Sequence, residues 1–294
     1  VSKFFKPLAL VAALFSCAAQ AQLSAPPVTS DALTGGKLLA TGGVSQLEGA
    51  GGGGLTPWAL ITGYGTNNQI GGNAHFTHIK TKDYHLNSYG AAMGLYDRVE
   101  FSVTRQLFNT EDVGTVLGLG KGFTIRQDVI GLKVKVAGDA VLDQDTWLPQ
   151  IALGAQYKHN NRGALLTALG AGTNDGVDLY LSATKLILSQ SLLLNGTLRF
   201  TKANQTGVLG FKGAYKPMLE GSVAVLLSKN WALGAEYRMK PNKLAAVAKE
   251  GDWSDVFIAW FPNKHISITA AYVRLGNVVT RKQDAAYIST QVGF

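Results

Sequence analysis

The chain alternates apolar and polar residues with a period of two over most of its length. In its last ten residues, Ala286, Ile288, Thr290, Val292 and Phe294 fall on one side, and Tyr287, Ser289, Gln291 and Gly293 on the other. Successive side chains of a strand point to opposite faces, so this period predicts ribbons with one apolar and one polar face. The same reading gives strands over 56–65, 70–81, 84–96, 98–108, 125–137, 147–158, 177–188, 191–201, 218–227, 231–240, 253–261 and 266–275. In 98–108 the rows are clearest: Val99, Phe101 and Val103 against Arg98, Glu100, Ser102 and Thr104. Two stretches stay open. Residues 35–44 read as a first strand or an inward-folded segment, and 206–215 as strand or loop.

Connection lengths add topology. Turns at Asp97, Ser189-Gln190, Lys229-Asn230 and Pro262-Asn263 are short, whereas 109–124, 159–174, 241–251 and 276–284 are long. Alternation of short and long connections is the habit of an outer-membrane barrel, with periplasmic turns at one rim and surface loops at the other. Such a barrel ends on a closing strand, and a terminal aromatic such as Phe294 sits well in its interfacial girdle. The expected fold is therefore all-β, an antiparallel transmembrane β-barrel of about 14 strands, with 12 as the alternative. Trp58, Tyr96, Trp147, Trp231, Trp253 and Tyr272 fall at strand ends and are the expected girdle aromatics.

Composition agrees. The chain has 35 glycines, only 16% charged residues and a mean hydropathy just above zero. Beyond the first residues, no apolar run approaches the ~20 residues of a membrane helix. Lys3 and Lys6, a short apolar core and Ala19-Gln20-Ala21 read as an export signal over 1–21. A mobile periplasmic leader is expected over 22–34, and the barrel over 35–294. The single cysteine, Cys17, is removed with the signal or, if Leu14-Phe15-Ser16-Cys17 is a lipoprotein box, lipidated.

The 35–50 run Gly-Gly-Lys-Leu-Leu-Ala-Thr-Gly-Gly-Val-Ser-Gln-Leu-Glu-Gly-Ala, the stretch Leu55-Thr56-Pro57-Trp58-Ala59 and the terminal Phe294 carry a resemblance. Together with the signal, they make the chain resemble a family of uncharacterised proteobacterial outer-membrane β-barrel proteins over its whole mature length. The resemblance implies the outer membrane of a Gram-negative bacterium and the barrel fold. It brings no substrate and no catalytic residue.

If the apolar rows face lipid, the opposite rows face the lumen. The lumen-lining candidates are Arg98, Glu100, Lys133, Lys135, Asp178, Arg199, Glu220, Glu236, Arg238 and Asp255. Mixed charges pair across strands, and they also make a field that polar solutes cross. Without Lys3 and Lys6 of the signal the net charge of +8 becomes 25 − 19 = +6, and this excess of bases leans weakly toward anions. A hairpin turning at Lys82-Asp83 pairs 80 with 85 and 78 with 87, gathering His78, Lys80, His85 and Asn87 into a rim patch. That face continues through Phe76, Tyr89, Ala91 and Met93, so a polar patch at the lipopolysaccharide headgroups fits it better than a catalytic or metal set. Gly49–Gly54 lacks the Lys-Ser/Thr of a phosphate loop and reads as a place where backbone passes backbone. Gly118-Leu119-Gly120-Lys121-Gly122 likewise lacks it.

Three functions follow in order: a porin-like channel for small polar or anionic solutes, a barrel plugged by its own loops and residues 35–55 in a structural or partner-docking role, and a lipid-modifying enzyme. No cofactor, metal or nucleic acid is implied, because the basic residues are spread over many strands without a stacking platform. The expected partners are outer-membrane lipid and lipopolysaccharide, and the barrel-assembly machinery through the C-terminal strand ending in Phe294.

Overall fold

A computed structural model describes residues 35–116, 118–244, 248–278 and 281–294. The expected export signal and leader lie outside the described residues. Two short strands, β1 (Val44–Ser45) and β2 (Gly51–Gly52), pair with each other. Twelve longer strands follow: β3 (Ile70–Thr81), β4 (His85–Leu95), β5 (Val99–Asn109), β6 (Thr124–Ala137), β7 (Gln150–Asn160), β8 (Asp175–Ile187), β9 (Leu192–Ala203), β10 (Phe211–Ser228), β11 (Trp231–Arg238), β12 (Trp253–Asn263), β13 (Ile266–Val278) and β14 (Arg281–Gly293). These twelve form one closed antiparallel barrel, with each strand beside its neighbour in sequence. β14 closes it on β3, in register from Ala285↔Thr81 to Gly293↔Asn73. The wall thus has the smaller of the two expected strand counts, and the inner pair brings the total to fourteen.

The period of two sets the faces as the rows predict. On β5, Phe101 and Val103 are exposed while Glu100, Ser102 and Thr104 are buried. On β12, Val256, Ile258 and Trp260 point out; Trp253, Asp255 and Phe257 point in. Exposed Phe76, Met93, Ile130, Leu153, Leu181, Leu219, Leu233 and Ile288 continue this belt around the wall. A contiguous apolar surface of this extent is untenable in water and is the lipid face of an outer-membrane barrel.

Several expectations are corrected. Residues 56–65 are not a wall strand; with 35–55 they fold into the lumen, where Leu55, Thr56, Ala59 and Ile61 are at most 1% exposed. The stretch reads as a strand because a buried irregular segment also carries an apolar run. Trp58 and Trp253 are not in a girdle: both are buried inside the barrel, whereas Trp231 stacks on Trp260 on the outer face at 5.7 Å. Residues 276–284 are no long loop, because β13 runs on to Val278 and β14 begins at Arg281. In the open stretch 206–215, residues up to 210 belong to a loop with buried Gln205, Thr206 and Gly207, and β10 starts at Phe211. The 138–149 connection is long although it lies on the short-turn rim, and Trp147 on it is 90% exposed.

The inner segment leaves the lumen beside the chain terminus. Tyr64 and Gly72 both donate backbone N–H to the Phe294 carbonyl at 3.0 Å. Gly63, with φ +77°, packs its backbone against Gly71 and Gly72, where a side chain has no room.

Candidate functional site

Residues 35–66 run through the lumen as a plug, held by groups that the wall strands aim inward. Because the plug is mostly irregular, its backbone N–H and C=O groups need partners that no ladder supplies. The wall provides them. Pro57 O accepts from Thr197 Oγ1 at 2.9 Å and Ser182 Oγ at 3.2 Å. Ala59 donates its N–H to Thr184 Oγ1 and accepts from Gln150 Nε2, at 2.8 and 2.7 Å. Leu47 O accepts from Ser88 Oγ and Gln106 Nε2, at 2.6 and 2.8 Å. Trp58 Nε1 donates to Ser222 Oγ at 2.9 Å.

Three wall or plug carboxylates organise the rest. Glu100 on β5 accepts the N–H groups of Gly51 and Thr62, both at 2.9 Å, and pairs with Lys133 on β6 at 3.0 Å. Lys133 Nζ also donates to Gly51 O and Leu60 O, at 2.8 and 2.6 Å, so this cross-strand pair grips the plug backbone by both polarities. Glu236 on β11 accepts from Leu55 N at 2.7 Å and from Thr56 Oγ1 and Ser222 Oγ at 2.6 and 2.9 Å. The glycine run makes this approach possible: a Cβ on Gly51 would lie 2.9 Å from Glu100, and one on Gly54 3.2 Å from the Tyr287 ring.

The third carboxylate belongs to the plug. Glu48 pairs with Lys158 on β7, with Arg238 on β11 at 2.8 Å and with Arg199 on β9 at 3.8 Å. Asp178 stands 2.7 Å from Lys158 and 3.4 Å from Arg199, while Glu220 pairs with Arg199 and, at 3.2 Å, with Arg238. Three cations face three carboxylates, and Glu48 and Lys158 are 0% exposed. Removing one partner from such a buried set costs ~3–5 kcal/mol, because it strands a charge in a low dielectric.

The sequence-derived candidates sort accordingly. Glu100, Lys133, Asp178, Arg199, Glu220, Glu236, Arg238 and Asp255 are buried on the inner face. Asp255 sits across from Glu236 and accepts its backbone N–H at 3.1 Å. Lys135 lies at the periplasmic rim, bound to Asp97, which also takes Lys37 of the plug at 2.6 Å. Arg98 is not in the lumen: it occupies the turn before β5 and is exposed, since the strand starts one residue later than its polarity suggests. Glu48 and Lys158 were not among the candidates. Lys158 continues the inward row Gln150, Ala152, Gly154, Gln156 and is legible by parity; Glu48 lies in a glycine-rich stretch without a period.

The rim patch assembles in the expected register, His78↔Asn87 and Lys80↔His85. His78 Nδ1 lies 2.6 Å from Asn87 Oδ1. Glu111, from the 110–123 loop, joins it, 2.6 Å from both Lys80 Nζ and His85 Nδ1. Those two hydrogen bonds, Lys80 first, push the Glu111 carboxyl down to about 2. Amide and carboxylate each engage one ring nitrogen, Nδ1 of His78 and Nδ1 of His85, and among the described residues no hydroxyl is hydrogen-bonded to either ring.

The family described as protein of unknown function (DUF3034) matches residues 41–291, plug and wall together. A comparison with curated proteins finds no match. Among solved structures, the KdgM porin is similar at a TM-score of 0.50 and 11% identity, over 76% of this chain and 99% of its own. The NanC porin aligns at 0.49 and 7% identity, over 75% and 98%. Outer membrane phospholipase A from Escherichia coli aligns at 0.43 and 9% identity, over 75% and 89%. At 11% identity the likeness to the KdgM porin is one of fold.

Proposed function

The chain belongs to the family of proteins of unknown function DUF3034, and we propose that its outer-membrane barrel is a conduit for small polar or anionic solutes, held shut at rest by residues 35–66. The observation that carries this reading is the seat of Glu48, whose carboxylate closes a neutral, fully buried set of three cations and three acids. The plug is held by polar bonds and by the packing of Leu47, Leu55, Trp58 and Leu60 against wall side chains, and once it moves, water and a solute anion can take over the polar part of that hold. Once Glu48 leaves, Lys158, Arg199 and Arg238 keep Asp178 and Glu220 as their ion-pair partners among the described residues. The vacated place carries one net positive charge and favours an anion.

The test is the ion selectivity of a chain lacking residues 35–66, reconstituted in planar bilayers after its folding is checked by heat-shifted gel mobility. The expected result is a steady, anion-preferring current that falls when Arg199 is also changed to Ala. A folded, silent deletion variant would overturn the conduit and leave the structural or partner-docking barrel. The lipid-modifying reading has less support, because among the described residues Asn87 and Glu111 supply the orienting contacts at Nδ1 but no hydroxyl is hydrogen-bonded to either His78 or His85. Unchanged lipid composition on replacing both with Ala would remove it.

A further inference from the structure

Above the plug the lumen has two unlike sectors. Inward positions of a barrel wall are ordinarily polar, and toward the loop-bearing end of β7 to β11 they are, as Lys158, Asp178, Arg199 and Arg238 show. In the other sector the inward rows turn apolar, with Ile79 on β3, Leu86 on β4, Phe108 on β5 and Leu275 on β13. A cavity opens against these four residues, its space about 580 Å³ with the solvent-facing part included. It adjoins the plug, since Leu47 and Leu55 share an apolar cluster with Ile79 and Leu275. Its other side is the 204–210 loop, which contributes Val208 and Leu209. Wall and rim groups tie that loop in place. Asn160 Nδ2 donates to Val208 O at 2.9 Å, Gln127 Nε2 to Thr206 O at 3.1 Å, and the Gln205 N–H to Glu250 Oε1 at 3.0 Å. Gln205 and Thr206 adopt φ of +44° and +61°, a conformation that costs energy in residues with a side chain. The loop is thus held at a distance, and the apolar walls do not close on each other.

The lining offers mostly carbon. Thr81 Oγ1 donates to Tyr84 O at 3.0 Å and accepts from Tyr84 N at 2.9 Å. Gln205 Nε2 donates to Asn277 O at 3.0 Å, and Thr206 Oγ1 to Gln205 O at 2.6 Å. One donor is left over. Trp253 is 5% exposed and lines the cavity, and among the described residues nothing accepts its Nε1–H. Ordered water needs several polar partners and gains little here, whereas an apolar body restores the dispersion contacts that the walls lack. The neighbouring charges set the charge of the occupant. Lys240 Nζ and Arg238 Cζ lie 4.0 and 5.8 Å from the centre of the Trp253 ring. Each already has its acids: Glu250 at 3.2 Å from Lys240, and Glu48 and Glu220 at 2.8 and 3.2 Å from Arg238. An uncharged occupant leaves those pairs intact.

We propose that this cavity binds a small uncharged hydrophobic molecule with one acceptor oxygen, its body between Leu86, Phe108, Leu209 and Leu275 and its oxygen on the Trp253 Nε1–H. The site lies above the seated plug and stands whether or not the lumen conducts. It is tested by titrating the intact chain, in lipid nanodiscs, with 2-acetylnaphthalene and with naphthalene, which lacks the oxygen. NMR of the indole N–H groups reads the contact, the Trp253 signal being the one missing from Trp253→Phe. The ketone should bind saturably and about fivefold tighter than naphthalene, as one added hydrogen bond gives. The Trp253 N–H signal should move downfield with the ketone and not with naphthalene. Trp253→Phe should still bind both but lose the preference. Leu86→Trp, which fills the cavity, should weaken both on the order of tenfold; heat-shifted mobility verifies both barrels. Uptake no greater than that of empty nanodiscs, or binding unchanged in Leu86→Trp, would overturn the site. A preference for the ketone that survives in Trp253→Phe would overturn the assignment of its oxygen to Trp253.

Discussion

Two glutamates, neither on a wall strand, reach cations borne by wall strands, and the comparison separates two uses of one interaction. Glu48 meets Lys158, Arg199 and Arg238 in the lumen; Glu111 meets Lys80 and His85 at the rim. The Glu48 side chain is 0% exposed and that of Glu111 is 34% exposed. In water the second set competes with solvent and salt, and each bond is worth little. In the dry lumen the first set has no substitute solvent, so its charges stand or fall together. The rim set orients a loop, and the lumenal set fastens a plug.

The comparison breaks most sharply at Glu48. Glu48→Ala strands three cations against two acids, and should lower the seating of residues 35–66 by ~3–5 kcal/mol. Limited proteolysis of the folded chain should then cut within 35–66 at rates at least a hundredfold above those of the parent; unchanged protection would mean that the cluster does not hold the plug. Next in size is Glu236→Gln, which keeps the shape but weakens the bonds from Leu55 N and Thr56 Oγ1, at ~1–3 kcal/mol. Trp58→Phe removes one bond to Ser222 and should cost ~1 kcal/mol by the same assay.

At the rim the effects are small and depend on pH. The Glu111 carboxyl titrates near 2 in the folded chain, below its unfolded value of about 4.3. A depressed carboxyl contributes stability that is complete above the unfolded value and lost as pH falls through the folded one. Proteolytic protection of the 110–123 loop, read with an acid-active protease, should therefore hold above pH 5 and decline toward pH 2, while Glu111→Gln removes that dependence. Lys80→Ala should leave the thermal midpoint of the barrel within a degree or two; a large fall would erase the distinction between the two regions.

Most of the wall was legible, because a lipid face and a lumenal face impose opposite polarity at every step. That constraint places Phe101 and Glu100, or Tyr157 and Lys158, on opposite sides without any knowledge of the fold. The plug was only half legible. Residues 35–44 were open to an inward path, but 56–65 has the apolar content of a strand, and nothing local reveals that its backbone is satisfied by Ser182, Thr184, Gln150 and Thr197 from distant strands. Arg98 shows the converse error: polarity alone does not tell a lumenal position from a turn. The partner of His85 was hidden too, since Glu111 lies 26 residues away on a loop without periodicity.

The central claim is that residues 35–66 close the lumen, and the current through the intact chain in a planar bilayer tests it most directly. With the plug seated, voltage steps should give no steady conductance in either polarity, at low or high salt. A steady ohmic current through the intact, folded chain would contradict the account.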